Sequence, residues 1–440
     1  MASRLAYIVK VDEDTRRPHS NADRLDCVEV FGSNVIISKE TDLSNLMVFF
    51  PTDMQLGEEF CKVNDLIRRK DENGNAAGGY LEQNRYLRPL KLRGEVSDGL
   101  LLPLSCLSSF TDISSLTEGF AFNELNGTVI CQKYVPATKA ANISTNSKDK
   151  RKTKKNKDII EANFPQHIDT EQFAYNLDKF KEGDILTITE KLDGTSHRSA
   201  LLPVKKTNWF RRLFHLAPKI VYKDYCGSRR VTVKGAEGGY YGDNNFRLEI
   251  HKRLVPCLSP NMEVFGEIVG YVNGSPIMPS CNTKCLNDKE FTKMFGENIE
   301  FSYGCNRDEY KFYVYRICLL DEDGDIQVEY STDQIIDWCK KYHFDYVPVL
   351  DRVMIPSFDD DSRMKSYLTD LANTFNGNYN PKSTLDFSHI REGCVFRIEN
   401  HTNFDVYKSK NDAYRIMRGM KVNSSGTEGA LDADAAEEMS

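Results

Sequence analysis

Short apolar and β-branched runs, broken by turn-forming residues, fill the first 130 positions. Residues 6–11, 27–31, 35–37 and 46–50 read as strands, and their close spacing predicts a small barrel. Later runs are longer. Residues 185–189 are β-branched and end at Glu190-Lys191. Residues 262–268 alternate with period two, which places Met262, Val264 and Ile268 on one face and Glu263, Phe265 and Glu267 on the other. Residues 311–317 are apolar on both faces, the pattern of a central strand. In a strand over 406–410, Lys408 and Lys410 project from the same side. Helical patterns cover the stretch leading to Phe180, residues 333–342, and residues 360–375, the last opened by acids suited to a helix start.

Between the two β-rich regions lies Lys148-Asp149-Lys150-Arg151-Lys152-Thr153-Lys154-Lys155-Asn156-Lys157, a charge run without apolar period. It predicts a flexible basic linker over 131–162, readable as a nuclear address, as a tether to nucleic-acid phosphates, or as a merely solvated connection. The chain from about residue 422 is small and acidic. The expected organisation is therefore a barrel domain over 1–130, the linker, a second domain over 163–425, and a disordered acidic tail over 426–440. A chain of 440 residues exceeds one typical core, which agrees with two domains.

The net charge of −7 excludes a polycation, so any nucleic acid must meet local basic patches. No apolar run approaches a membrane span and the amino terminus has no signal-peptide core, so an intracellular protein, cytoplasmic or nuclear, is expected without a membrane partner. Twelve cysteines without CxxC spacing predict reduced thiols. Cys281, Cys285 and Cys305 are weighed as zinc ligands, but no paired half-site or nearby histidine completes a set, and ordinary thiols are favoured.

The chemistry centres on Glu190-Lys191-Leu192-Asp193-Gly194-Thr195-Ser196. A lysine ending a strand, followed by an acid, a glycine and two hydroxyls, fits a nucleophile beside a phosphate-sized turn. Lys-x-Asp-Gly alone is weak, arising by chance in roughly one chain in ten of this length. Glu267, beside glycine at the end of an apolar strand, is costly unless it meets a cation or metal. Lys205 to Phe214 interleaves cations with aromatic rings, a pattern suited to RNA ends or to an amphipathic surface insertion.

Taken in order, these pieces resemble the covalent nucleotidyltransferases, specifically the ATP-dependent RNA ligases with an amino-terminal OB domain. Lys191-Leu192-Asp193-Gly194-Thr195 is similar to motif I, Ser228-Arg229 to Ia, Phe265-Gly266-Glu267 to III, Phe312 to Ile317 to IIIa, Glu392-Gly393-Cys394-Val395 to IV, and Lys408-Ser409-Lys410 to V. The Phe164-Pro165 stretch also resembles the segment preceding motif I. His19-Ser20-Asn21-Ala22-Asp23-Arg24-Leu25 and Leu92-Arg93-Gly94-Glu95-Val96-Ser97-Asp98-Gly99-Leu100 resemble tRNA-binding-type OB domains, with Arg85, Arg88, Lys91 and Arg93 as the RNA-facing cations. Two features depart from the pattern: Arg316, where many such ligases carry an acid, and the long segment around Trp209.

The resemblance implies an α+β fold, an OB β-barrel followed by a nucleotidyltransferase domain of antiparallel sheets flanked by helices. It implies that Lys191 takes AMP from ATP, passes it to a 5′-phosphate RNA end, and that a 3′-hydroxyl then displaces it. Lys408 and Lys410 would hold the α-phosphate, their field favouring the neutral Lys191 amine, and Glu267 and Glu392 would hold Mg²⁺ or Mn²⁺. Arg229 would contact ribose or the RNA end, Glu267 the ribose, and Tyr315 adenine, with Glu190, Leu192 and Gly194 lining the nucleotide site. Asp193 would serve the RNA-directed steps. The implied substrate is nicked or broken duplex RNA, the opposite strand RNA or DNA, with no obligate protein partner evident. Two rivals are a GTP-dependent capping guanylyltransferase, or a DNA ligase, and a catalytically dead RNA-binding adaptor. The first needs a further OB domain after motif V, and only about thirty residues follow Lys410; intact motif lysines and carboxylates disfavour the second. With no kinase P-loop or phosphatase module in view, ends already carrying 3′-OH and 5′-PO₄ are expected.

Overall fold

The computed structural model describes residues 5–52, 54–70, 76–134, 159–160, 163–167, 170–207, 211, 213–214, 216–236, 241, 243–321, 324–376, 381–402 and 404–419. The Lys148–Lys157 run, Trp209 and the acidic tail lie outside them. The chain divides into two compact units. One comprises residues 1–137, 282–293 and 415–432, the other residues 138–281, 294–414 and 433–440. The architecture is mixed α/β, dominated by antiparallel sheets with few helices.

In the first unit all four expected strands form, as Ala6–Val9, Leu25–Val30, Ser33–Ser38 and Met47–Pro51. Gly99–Pro103, Met47–Pro51, Ala6–Val9 and Ala121–Phe122 make one four-stranded sheet over a core that includes Ile8, Val48, Phe50, Phe60 and Phe110. Leu25–Val30 belongs to a separate three-stranded sheet, and among the described residues the sheets do not join into a closed barrel. The two signature phrases meet: buried His19 accepts from Asn21 N–H through Nδ1, which leaves Nε2–H to donate to Leu92 O at 3.0 Å. Arg17, bonded to Glu95 at 2.9 Å, holds that carboxyl down to about 2. Arg88 and Arg93 are exposed, whereas Arg85 and Lys91 are half-buried.

The second unit is built on two sheets. A nine-stranded sheet has the path Thr232–Val233, Lys219–Gly227, Thr195–Lys206, Met262–Val272, Tyr310–Leu320, Ile326–Glu329. A five-stranded sheet runs Glu171–Gln172, Val406–Lys410, Gly393–Ile398, Ile185–Lys191, Val349–Met354. Alternation works as expected in Met262–Val272: Met262, Val264 and Ile268 enter one core with Phe312, Val314 and Ile317, and Phe265 enters another with Ala200 and Leu202. Tyr310–Leu320 thus has apolar neighbours on both faces. Helices Thr332–Tyr342 and Asp361–Asn376 match expectation; Ser331 and Gln334 form a capping box on the first.

The stretch to Phe180 differs. It forms two 3-10 turns, Phe173–Tyr175 and Leu177–Lys179, rather than one helix. Phe173 and Phe180 pack edge to face at 5.0 Å inside one core, and Asn176 between them leaves helical geometry to donate to Gln172 O. Burial of the two rings overrides local helix pattern. All twelve cysteines are free thiols. No helix among the described residues is long and apolar enough to cross a membrane.

Candidate active site

Lys191 ends a strand of the five-stranded sheet, and Thr195 starts one of the nine-stranded sheet. The residues Leu192-Asp193-Gly194 therefore carry the chain between sheets, beside a cavity lined by both. On the five-stranded side, pairing aligns Lys191, Gly393 and Lys410 in one row, Thr189, Val395 and Lys408 in the next, and Thr187, Arg397 and Val406 in a third. Period-two alternation points these rows one way while Ile188, Cys394, Phe396 and Tyr407 enter the core. Gly393 leaves the first row without a central side chain. A Cβ there would lie 2.2 Å from Ser409 O, so only glycine lets the Lys410 strand pass this close.

Glu392, 1 % exposed, joins the ends of that row. Lys191 Nζ donates to Glu392 Oε2 at 2.7 Å, and Lys410 Nζ sits 3.0 Å from Oε1. Glu392 is thus ion-paired with the two lysines that frame it. Lys408 lines the cavity one row further in.

The opposite wall carries Ser196, Arg229, Glu267 and Tyr315. Ser196 pairs with Glu267 in register, and a bulge opposite Phe265/Gly266 makes Tyr315 the extra residue of its strand. The Tyr315 hydroxyl reaches Ser196 Oγ at 3.3 Å, and burial first, then the Glu267 charge, pushes its ionisation far up, so the ring stays neutral. Arg198, 1 % exposed, lies 3.8 Å over the Phe164 ring and donates to Pro165 O. That clamp explains the Phe164-Pro165 phrase: it delivers His167 to the cavity, edge-on to Phe265 and Tyr315 at 5.7 Å each.

The turn after Lys191 is held from two sides. Tyr303 OH accepts from Asp193 N–H at 2.6 Å, and Tyr414 OH donates to Asp193 Oδ1 at 2.9 Å. Asp193, Tyr303 and Tyr414 are all buried. Tyr303 sits at φ +49°, a conformation few bulky residues adopt, and its backbone N–H donates to His389 Nε2. His389 Nδ1 donates in turn to Ile390 O, which fixes the neutral tautomer; burial lowers its pKa in the same direction. Gly194 was expected to free the backbone toward phosphate. Its φ is not left-handed; glycine is needed because a Cβ would stand 2.3 Å from Ile268 O. Tyr414→Phe should cost roughly 1.5–3 kcal/mol, the range for a hydrogen bond to a charged group, read as a lower urea midpoint.

At the far end, Thr332, Ile335 and Ile336 of the capped helix close the cavity together with Arg397 and Phe404. Arg316, the departure from pattern, is not in the cavity lining. It is buried, paired with Glu329, and stacked 3.9 Å over Phe404. Glu190 also lines the cavity, and its carboxylate is held by Thr384: Oε2 accepts from Thr384 N–H at 2.9 Å and Oγ–H at 2.6 Å. Of the residues singled out from sequence, Glu190, Lys191, Leu192, Asp193, Gly194, Arg229, Glu267, Tyr315, Glu392 and Lys408 line one cavity, whereas Lys410 is not in its lining and reaches it only through its ion pair with Glu392. Sequence reasoning missed His167, Tyr303, Arg397 and Tyr414. Period two from Val395 was enough to find Arg397; Tyr303 is brought in only by tertiary contact.

Behind Tyr315, Glu263 is fully buried, 3.5 Å from Arg198. Burial pushes its carboxyl up to about 8, with Arg198 and Arg316 pulling the other way. An acid whose folded pKa is raised binds its proton more tightly folded than unfolded. Its stabilising contribution is whole below its ordinary range and disappears as pH rises to about 8. Glu263→Gln should therefore flatten that loss and exceed wild type by roughly 2–4 kcal/mol above pH 8, in urea titrations run from pH 5 to 9.

A family model described as RNA ligase matches residues 184–411, just over half of the chain. No curated protein sequence matches. Among solved structures, a lysine-to-alanine mutant of Naegleria gruberi RNA ligase with ATP and Mn superposes with a TM-score of 0.54 at 18% identity, over 94% of this chain and 97% of that one. The same ligase with PPi gives 0.53 at 18% identity over 94% and 98%, and a lysine-to-methionine mutant with AMP and Mn gives 0.52 at 18% over 93% and 98%. At such identity the likeness establishes the fold, and it extends across both units. The matched segment spans the lysine strand, the bridging carboxylate and both motif V lysines, and on that match the chain belongs to the RNA ligase family.

Proposed function

We propose that this chain is an ATP-dependent RNA ligase joining 3′-OH and 5′-PO₄ ends in nicked or broken duplex RNA. The observation that carries the reading is the row Lys191–Gly393–Lys410 with Glu392 ion-paired to both lysines, Lys191 and Glu392 lining a cavity between two sheets. A primary amine is thereby fixed beside cations suited to a phosphoryl group. The Naegleria ligase has been solved with ATP and Mn, with AMP and Mn, and with PPi, the reactant and products expected of such a site.

In this reading the Lys191 amine, after giving up its proton, attacks the α-phosphorus of ATP. The bond to pyrophosphate breaks and a lysyl–AMP phosphoramidate forms. An RNA 5′-phosphate then displaces Lys191, and a 3′-hydroxyl displaces AMP. Lys410 and Lys408, one row apart on one face, neutralise charge on the α-phosphate. Tyr315 and Val395, on opposite walls, offer flat and branched surfaces to adenine, with Arg229 and Glu267 toward the ribose. Asp193 is positioned by Tyr303 and Tyr414 for the RNA-directed steps.

Among the described residues no three His, Cys, Asp or Glu gather as a metal cluster. Two carboxylates on facing walls, Glu267 and Glu392, fit a Mg²⁺ or Mn²⁺ ion that takes its remaining ligands from phosphate and water. Such an ion would polarise the α-phosphate and help neutralise the charge developing there. The N-terminal unit we read as an OB-type RNA-binding domain, supported by its strand-rich composition and by the contact between its two signature phrases.

The test is incubation with ATP or GTP labelled at the α-phosphate, followed by sealing of nicked duplexes in which each strand is RNA or DNA. Covalent label from ATP and sealing of a 3′-OH/5′-PO₄ RNA nick are expected. Preferential labelling by GTP would favour capping chemistry, and sealing confined to 2′,3′-cyclic phosphate ends would refute the proposed end chemistry.

A further inference from the structure

The hairpin formed by Thr195–Lys206 and Lys219–Gly227 begins and ends at the active site, with Ser196 near its first residue and Arg229 just after its last. Strand register runs unbroken from Arg198 opposite Gly227 to Lys206 opposite Lys219. Eight residues of antiparallel strand carry it roughly 27 Å away from the cavity. This arm has an anomalous charge. No acid occurs between Asp193 and Asp224, while residues 203–223 contain Lys205, Lys206, Arg211, Arg212, Lys219 and Lys223. Removing those six cations from a chain of net charge −7 would leave −13, so the hairpin is a local basic arm on an acidic protein.

Its two faces differ. Ala200, Leu202 and Val204 point into a core with Tyr225. On the other face Ile220 and Tyr222 are 47 % and 46 % exposed, and beyond the paired strands Phe214 is 57 % exposed. Lys205, opposite Ile220, shares that face with the Tyr222 ring, while Lys206, Lys219 and Lys223 project from the alternate positions toward the end of the arm. An exposed ring beside cations suits a nucleic acid, since the cations meet phosphates and the ring meets a base or sugar. An acidic protein partner or a solvated face would not need the rings.

We infer that this hairpin is an RNA-flank clamp, contacting phosphates of the substrate up to roughly 27 Å from the joint being sealed. The inference rests on RNA as the substrate of the neighbouring site. It assigns part of substrate affinity, and none of the nucleotide chemistry, to the arm.

The experiment uses the full chain with Lys205→Glu, Arg211→Glu and Lys219→Glu combined. Labelling by ATP alone should equal wild type, because it needs no RNA; loss of label in wild type itself would instead overturn the ligase reading. Affinity for a long nicked RNA duplex should fall about 10–100-fold near 50 mM salt, and the slope of log K against log salt should fall by about two to three. Trimming each flank in turn to well under 27 Å should bring wild type down to the variant for one flank. A triple Gln variant should lie between the two, and guards against misfolding of the reversed arm. Unchanged affinity and slope would overturn the clamp. So would binding of wild type, but not the variant, to phosphatidylserine vesicles with RNA affinity unchanged, which would make the arm a membrane contact.

Discussion

Lys191→Ala is expected to abolish covalent AMP labelling, a loss on the order of 10⁴-fold or more in the first step, because no other group takes over the bond to phosphorus. Its ion pair with Glu392 makes a second variant informative. Lys191→Arg keeps a cation near Glu392 but cannot shed its proton near neutral pH, so it should be as inactive in labelling while keeping wild-type stability. If the lysine were only the structural partner of Glu392, Arg would retain activity. The same logic predicts a bypass. Supplied with an RNA whose 5′ end already bears AMP, Lys191→Ala should still seal at a measurable rate, since the amine has left the reaction by then. Intact-protein mass spectrometry and a gel assay of pre-adenylylated substrate separate the two stages. A labelled Lys191→Ala protein would move the nucleophile elsewhere.

Much of this site was readable because its charged residues sit in strands, where period two assigns faces without tertiary knowledge. Lys408 and Lys410 share a face for that reason, as do Met262, Val264 and Ile268 in the core behind. What could not be read was cross-strand register. Only pairing shows that Gly393 lies between Lys191 and Lys410, and that Glu392 consequently ion-pairs with both. Gly194 illustrates a correct residue with a different cause, close passage of Ile268 O rather than approach of the turn backbone to phosphate. Tyr303 and Tyr414 are 110 and 221 positions from Asp193, and no local pattern encodes contacts at that range. The N-terminal strands were legible one by one, yet their closure was not, since sheets of four and three strands result from the same alternation a barrel would use. The 3-10 turns before Phe180 failed for a related reason: burial of two rings outweighed the helical signal.

Glu392→Gln is the second large effect expected, and it separates folding from catalysis. The carboxylate is 1 % exposed and neutralises two ammonium groups, at 2.7 and 3.0 Å. Removing one partner from a buried ion pair typically costs about 3–5 kcal/mol. Two cations left within roughly 8 Å of each other would add repulsion on the order of 2 kcal/mol at an effective dielectric constant near 20. Lys191 is partly exposed and can relax toward water, which places the expected loss near the lower end, about 3 kcal/mol, measured as a drop in urea midpoint. Sealing should fall by about 10³-fold or more, because Lys191 and Lys410 lose the anchor that fixes their separation. Pairing Glu392→Gln with Lys410→Gln removes one cation along with the anion. That double variant should regain most of the lost stability while staying inactive. Recovery of sealing together with stability would mean that Glu392 only balances charge and that Lys410 takes no part in the chemistry. Failure to regain stability would mean that the carboxylate is held by contacts other than these lysines.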